Sequence, residues 1–100
     1  MKAYVISEVE VLEENAAGDY RRLAAASITD YGGRYLAREG KAEVVEGEPT
    51  ERQIIIVEFS SLVQAREWYA SPVYAKALRF RERALDRRLM FVEGVSSTAV

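Results

Sequence analysis

Apolar residues alternate with polar ones from Ala3 to Val11: Val5, Val9 and Val11 share one face, and Glu8 and Glu10 share the other. This period of two predicts a strand. Its first half is apolar on both faces, because Tyr4 and Ile6 join Val5. From Glu13 to Tyr31 the period changes. Ala17, Tyr20, Ala24, Ile28 and Tyr31 recur at spacings of three and four, which predicts a helix with one apolar stripe. Glu13, Glu14 and Asp19 sit near its N-terminal end, where negative charge suits the helix dipole, and Gly32-Gly33 stops it. A hairpin is expected next, with strands Arg34 to Arg38 and Ala42 to Glu46 around a Glu39-Gly40 turn. After the loop Gly47-Glu48-Pro49-Thr50, the run Gln53 to Phe59 predicts a strong strand. Ser61-Leu62-Val63-Gln64 fits a capping box and opens a second helix, which Ser71-Pro72 interrupts and restarts. The restarted helix is expected to run to about Leu85, and Leu89 to Val92 forms the last strand before Glu93-Gly94.

The resulting order is β-α-β-β-α-β, an α+β ferredoxin-like sandwich with an antiparallel sheet. Residues 1–95 form one domain and 96–100 a loose tail. Helices in this order cover one sheet face, so the other face should alternate in polarity. Tyr4-Val5-Ile6, Ile54 to Val57 and Leu89 to Val92 do not alternate. Both faces therefore call for burial, and a homodimer packed through the sheet face supplies it. Each such side chain left in water would forgo roughly 1.5–3 kcal/mol.

The 100 residues suit one domain, with 49% hydrophobic and 30% charged residues. With no cysteine and no histidine, the chain has no thiolate or imidazole for nucleophilic, acid–base or metal chemistry. No metal and no cofactor are expected. The formal charge of -2 argues against nucleic acid, and no apolar run approaches the roughly 20 residues that span a bilayer. The first residues turn acidic too early for a signal peptide, so a cytoplasmic location is expected.

Three groups of residues offer chemistry. Tyr20, Tyr31, Trp68, Tyr69 and Tyr74 come from the helices and their ends. They form either helix-to-sheet core or the wall of a pocket for a small organic ligand, since such rings have apolar faces and polar tips. Arg34, Arg38, Arg52, Glu58 and Glu93 lie in or beside apolar strands. An Arg38–Glu58 pair would be a salt bridge or would orient an anionic ligand. Glu58, and after it Glu93, is a candidate acid or base if an apolar wall raises its pKa. Arg79, Arg81, Arg83, Arg87 and Arg88, interleaved with Glu82 and Asp86, read as a solvated face of the last helix, with an anion or RNA patch as the alternative. Gly32-Gly33 precedes a strand and is not a phosphate-cradling loop.

The chain resembles the domain-of-unknown-function family 1330 (DUF1330) of the dimeric α/β-barrel superfamily. The resemblance rests on Ala3-Tyr4-Val5-Ile6, Tyr20-Arg21-Arg22-Leu23, Gly32 to Arg38, Val45-Glu46-Gly47, Arg52 and Val57-Glu58-Phe59. Trp68-Tyr69-x-Ser71-Pro72-x-Tyr74 and Val92-Glu93-Gly94 complete it. It implies a ferredoxin-like fold and dimerisation through the sheet face, but no activity. The wider superfamily includes small monooxygenases, haem-degrading enzymes and lactone isomerases. The chain departs from the family pattern in three places. Tyr31 stands where relatives often have histidine, Glu39 where they read Arg-Gly-Gly, and Ser60 where they have proline. A phenol with a pKa near 10 is a poor base at neutral pH, so the resemblance does not carry that histidine's chemistry over to Tyr31.

The leading expectation is a homodimer with a pocket between helices and sheet in each subunit, binding a small, partly aromatic or anionic molecule. Its residues would be Tyr20, Tyr31, Arg38, Glu58, Trp68, Tyr69 and Tyr74. One alternative is a cofactor-free oxygenase or isomerase, with Glu58 or Tyr31 assisting proton transfer. The other is a ligand-free structural or interaction module.

Overall fold

The computed structural model describes residues 1–96. Residues 97–100 of the expected tail lie outside the described residues. Seven elements follow in the order β1 (Ala3–Val11), α1 (Glu14–Asp30), β2 (Arg34–Ala37), β3 (Gln53–Phe59), α2 (Leu62–Tyr69), α3 (Pro72–Ala84) and β4 (Leu85–Glu93). The four strands form one sheet in the order β2-β3-β1-β4. Every neighbouring pair is antiparallel. This is the expected α+β ferredoxin-like fold.

Register decides which side chains meet the helices. Val5 lies opposite Val57 on β3 and Phe91 on β4, and Ser7 lies opposite Ile55 and Leu89. Val9 lies opposite Gln53 and Arg87. Directly opposed residues share a face, so Val5, Ser7, Val9, Val57, Phe59, Leu85 and Arg87 all point the same way. Against them α1 sets Ala17, Tyr20, Ala24 and Ile28, α2 sets Ala65 and Trp68, and α3 sets Tyr74 and Ala77, all buried. Tyr4, Ile6, Ile54, Ile56 and Met90 occupy the opposite face and are only partly covered.

Two glycines and one serine shape the connections. Gly32 takes a φ of +74° just after α1, a left-handed turn that L side chains avoid. Gly33 is needed for space: a Cβ there would fall 2.6 Å from the Phe59 ring and 2.9 Å from Ile28 Cγ2. Ser71 Oγ accepts from the Tyr74 amide at 3.1 Å and donates to the Trp68 carbonyl at 2.7 Å. One side chain thus ends α2 and caps α3. Ser61 caps α2 through the Gln64 amide at 3.1 Å. The Gln64 side chain does not close the box; it donates to the Tyr31 carbonyl at 2.8 Å.

Two sequence expectations are corrected. Ala42 to Glu46 is not a strand, and β2 pairs directly with β3, with a register shift between Tyr35 and Ala37. Residues 38–52 form a loop in which Val44 and Val45 stay exposed, so the short apolar segment there packs on no face. The last strand is longer than Leu89 to Val92. It begins at Leu85, directly after α3, and Arg87 and Arg88 belong to it, not to the helix. The charges of Asp86-Arg87-Arg88 hide an ordinary alternation. No helix of the described residues is long and apolar enough to cross a membrane.

Candidate functional site

Between α1 and the helix-facing side of the sheet lies a cavity of about 320 Å³. Val5, Val9, Val57, Ile28, Ala24 and Trp68 supply its apolar walls. Its polar lining includes Ser7, Tyr20, Tyr35, Gln53 and Arg87, with Arg21, Arg38 and Glu39 among the charged residues. Apolar walls with a few convergent polar groups are the usual make-up of a small-molecule site.

The polar end is built from three elements. Arg87 of β4 is partly buried. Its Nη1 donates to the Tyr20 hydroxyl of α1 at 2.5 Å, and its Nη2 donates to the Tyr74 hydroxyl of α3 at 2.8 Å. The two hydroxyls are themselves hydrogen-bonded at 2.5 Å. Among the described residues no carboxylate pairs with this guanidinium; its protein partners are neutral phenols. Burial works to lower the pKa of Arg87, but the two phenol oxygens outweigh it and the net shift is upward, so the charge is held. Burial and, after it, the neighbouring Tyr20 raise the Tyr74 phenol well above its ordinary value, against the pull of Arg87. Tyr35 is raised chiefly by burial. Its ring lies 4.4 Å from the Arg38 guanidinium.

The residues singled out from the sequence separate into distinct places. Tyr20, Arg38 and Trp68 line the cavity. Trp68 is also core: its indole stacks on Tyr74 at 4.2 Å between ring centres and donates to Ser27 Oγ at 3.0 Å. Tyr74 is fully buried behind the cavity; it does not line it, and touches it through Trp68 and through its bonds to Tyr20 and Arg87. Tyr69 lines a separate groove with Arg81, Arg87, Leu89 and Phe91. Tyr31 sits at the end of α1, packed on the edge of the core.

Glu58 is on the other face of the sheet from the cavity. The strands do not bring it to Arg38; it pairs with Arg34 at 3.0 Å and Lys2 at 3.2 Å. Burial tends to raise its pKa, but the hydrogen bonds from Lys2 and Arg34 prevail and hold it below the ordinary carboxylate value. Arg52 pairs with Asp86 at 3.0 Å, and Glu93 is exposed at the end of β4.

Sequence reasoning missed several polar cavity residues, Ser7, Tyr35 and Gln53 among them, and misplaced Arg87. Arg87 was grouped with the helical arginines, although its i, i+2 spacing from Leu85 and Leu89 carries the strand signal. Ser7 interrupts the buried face between Val5 and Val9. It is 6% exposed, and its hydroxyl has no protein partner among the described residues. No group of three or more metal-ligating acidic residues, histidines or cysteines exists among the described residues.

The fold recurs in solved structures. A protein of unknown function from Rhodopseudomonas palustris superposes with a TM-score of 0.78 at 18% identity, over 95% of this chain and 83% of that one. SnoaB, a cofactor-independent oxygenase from Streptomyces nogalater, gives 0.61 at 8% identity, over 99% and 98%. A dimeric ferredoxin-like protein of unknown function from Bacteroides fragilis gives 0.61 at 13%, over 93% and 96%. At these identities the likeness extends to the fold. No curated protein matches the chain. Residues 2–95 match the model of a domain of unknown function, DUF1330, and the chain belongs to that family.

Proposed function

We propose that the chain is a homodimeric protein that binds a small organic molecule in the cavity between α1 and the sheet. The observation that carries this reading is the cavity itself. It is about 320 Å³, walled by valines, Ile28 and Trp68, and polar at the end where Arg87 and Tyr20 meet. A volume of this order holds a molecule of one or two rings. Tyr20, Arg38 and Trp68 contact the ligand, and Tyr74 holds Tyr20 and Arg87 in place.

Support for the dimer comes from the open sheet face. Tyr4, Ile6, Ile54, Ile56, Met90 and Val92 form an apolar surface on one face of one sheet. Covering it against a second copy removes it from water. The Bacteroides fragilis protein of the same fold is described as dimeric.

A second reading, a cofactor-free oxygenase or isomerase, draws on the donors at the polar end. A guanidinium beside two phenols would stabilise an oxyanion as it forms. The Streptomyces nogalater protein of this fold is described as a cofactor-independent oxygenase.

Native mass spectrometry of freshly purified protein tests the proposal. A dimer carrying a retained small molecule is the expected result. An empty dimer that takes up none of a panel of aromatic and aliphatic metabolites would favour a ligand-free module. A monomer at micromolar concentration would overturn the assembly. Ile56→Arg should dissociate the dimer, read by sedimentation, while leaving the cavity's ligand in place.

A further inference from the structure

The polar end of the cavity presents hydrogen-bond donors and excess positive charge. Arginine has five N–H donors, and the protein takes one from each terminal nitrogen of Arg87, for Tyr20 and Tyr74. The phenol pair sharpens this. Both hydroxyls already accept from Arg87, and one of them donates to the other. If Tyr20 donated to Tyr74, the Tyr74 proton would be left in a fully buried site. If Tyr74 donates to Tyr20, no donor is stranded, and the Tyr20 O–H turns into the cavity it lines. Ser7 adds a hydroxyl with no protein partner on the same face of the sheet, diagonal to Arg87 across the β1–β4 pair.

The charges around the rim point the same way. The cavity is lined by Arg21, Arg38 and Arg87 against the single carboxylate of Glu39. Arg21 is neutralised by Glu14 at 3.0 Å, and Arg38 lies over the Tyr35 ring with no carboxylate partner among the described residues. Two cations thus face one anion. A partly buried guanidinium that lacks a counter-charge favours an anionic partner, and a planar carboxylate meets its N–H groups in a forked pair of bonds.

Building on the cavity reading above, we propose that the ligand is a small organic carboxylate. Its anionic group is bound by Arg87 together with the Tyr20 and Ser7 hydroxyls, and its apolar body lies against Val5, Val57 and Trp68. Arg87 is the residue that selects acid over neutral molecule.

Calorimetric titration of the intact chain with matched pairs tests this: benzoate and benzamide, 2-naphthoate and 2-naphthamide, octanoate and octanamide. At least one acid should bind roughly tenfold or more tightly than its amide. Arg87→Met should erase that preference while amide binding persists, and Arg87→Lys should keep part of it. If the pairs bind alike, the carboxylate assignment falls and the cavity reading survives. If no member of any pair binds, the cavity reading itself falls, and this proposal with it. The comparison in the unmodified chain needs no variant, so poor folding of Arg87→Met leaves the test decisive. A preference that Arg87→Lys and Tyr20→Phe both leave unchanged would place the anion elsewhere.

Discussion

The hydroxyls of Tyr20 and Tyr74 lie 2.5 Å apart although the residues are 54 positions apart in the chain. The bond ties α1 to α3, and both oxygens accept from the same guanidinium on β4. A polar contact at this depth is specified by packing on every side, because an unmet partner there has no water to turn to.

Tyr74→Phe removes an acceptor from Arg87 and a partner from Tyr20 in a fully buried position. It should cost about 1–3 kcal/mol in urea denaturation. Tyr20→Phe should cost less, since its hydroxyl borders the cavity. The double variant should cost less than the sum, because the two changes remove one shared bond. Equal midpoints for Tyr74→Phe and the unmodified protein would mean that the network adds nothing to stability.

Stability should fall at alkaline pH, and Tyr74 should be part of the cause. Its folded pKa is raised above the ordinary 10.0, chiefly by burial. The stabilisation is complete below the unfolded pKa. Above about pH 10 the unfolded chain releases a proton that the folded chain keeps, so unfolding is favoured by up to about 1.4 kcal/mol per pH unit. Tyr35, also raised by burial, adds to the same slope. Denaturation midpoints between pH 9 and 11 should drop less steeply in Tyr74→Phe.

Glu58 should act at the acid end. Its folded pKa is lowered from 4.5 by Lys2 and Arg34, which outweigh its burial. Its contribution is therefore present above about pH 4.5 and is lost as pH falls through the folded value. Glu58→Gln should lower the melting temperature at pH 7, and the difference from the unmodified protein should shrink as pH falls below about 4.5. A constant difference across that range would show that its ionisation has no part in stability.

Gly32 and Gly33 should fail for different reasons. Gly33→Ala drives a methyl into the Phe59 ring and should cost roughly 1–3 kcal/mol. Phe59→Leu in the same chain should recover part of that loss. Gly32→Ala, with open space around it but a φ of +74°, should cost about 1–2 kcal/mol. Phe59→Leu should not rescue it. Thermal unfolding of the four variants separates the two effects.

The sequence by itself determined the class of fold, because the signals for it are local. The alternation in Ala3–Val11, the three-and-four spacing from Ala17 to Ile28, the stop at Gly32 and the cap at Ser71 each act within a few residues. Local signals failed where a segment's fate depends on distant partners. Ala42 to Glu46 reads as a short strand but meets no sheet, and Asp86-Arg87-Arg88 reads as a helical charge run until β1 pairs with it. The cavity was legible only in part. Tyr20, Arg38 and Trp68 are legible as aromatic and charged residues on or near apolar stripes, whereas Ser7 is not, and Arg87 reads as helical. Their importance arises from register: Val9 lies opposite Arg87, and Ser7 faces Leu89 one step along. The same register sent Glu58 to the far side of the sheet and away from Arg38, since a strand turns successive side chains to opposite faces. Which tyrosine meets which arginine depends on contacts between residues far apart in the chain, and only the folded sheet brings these together.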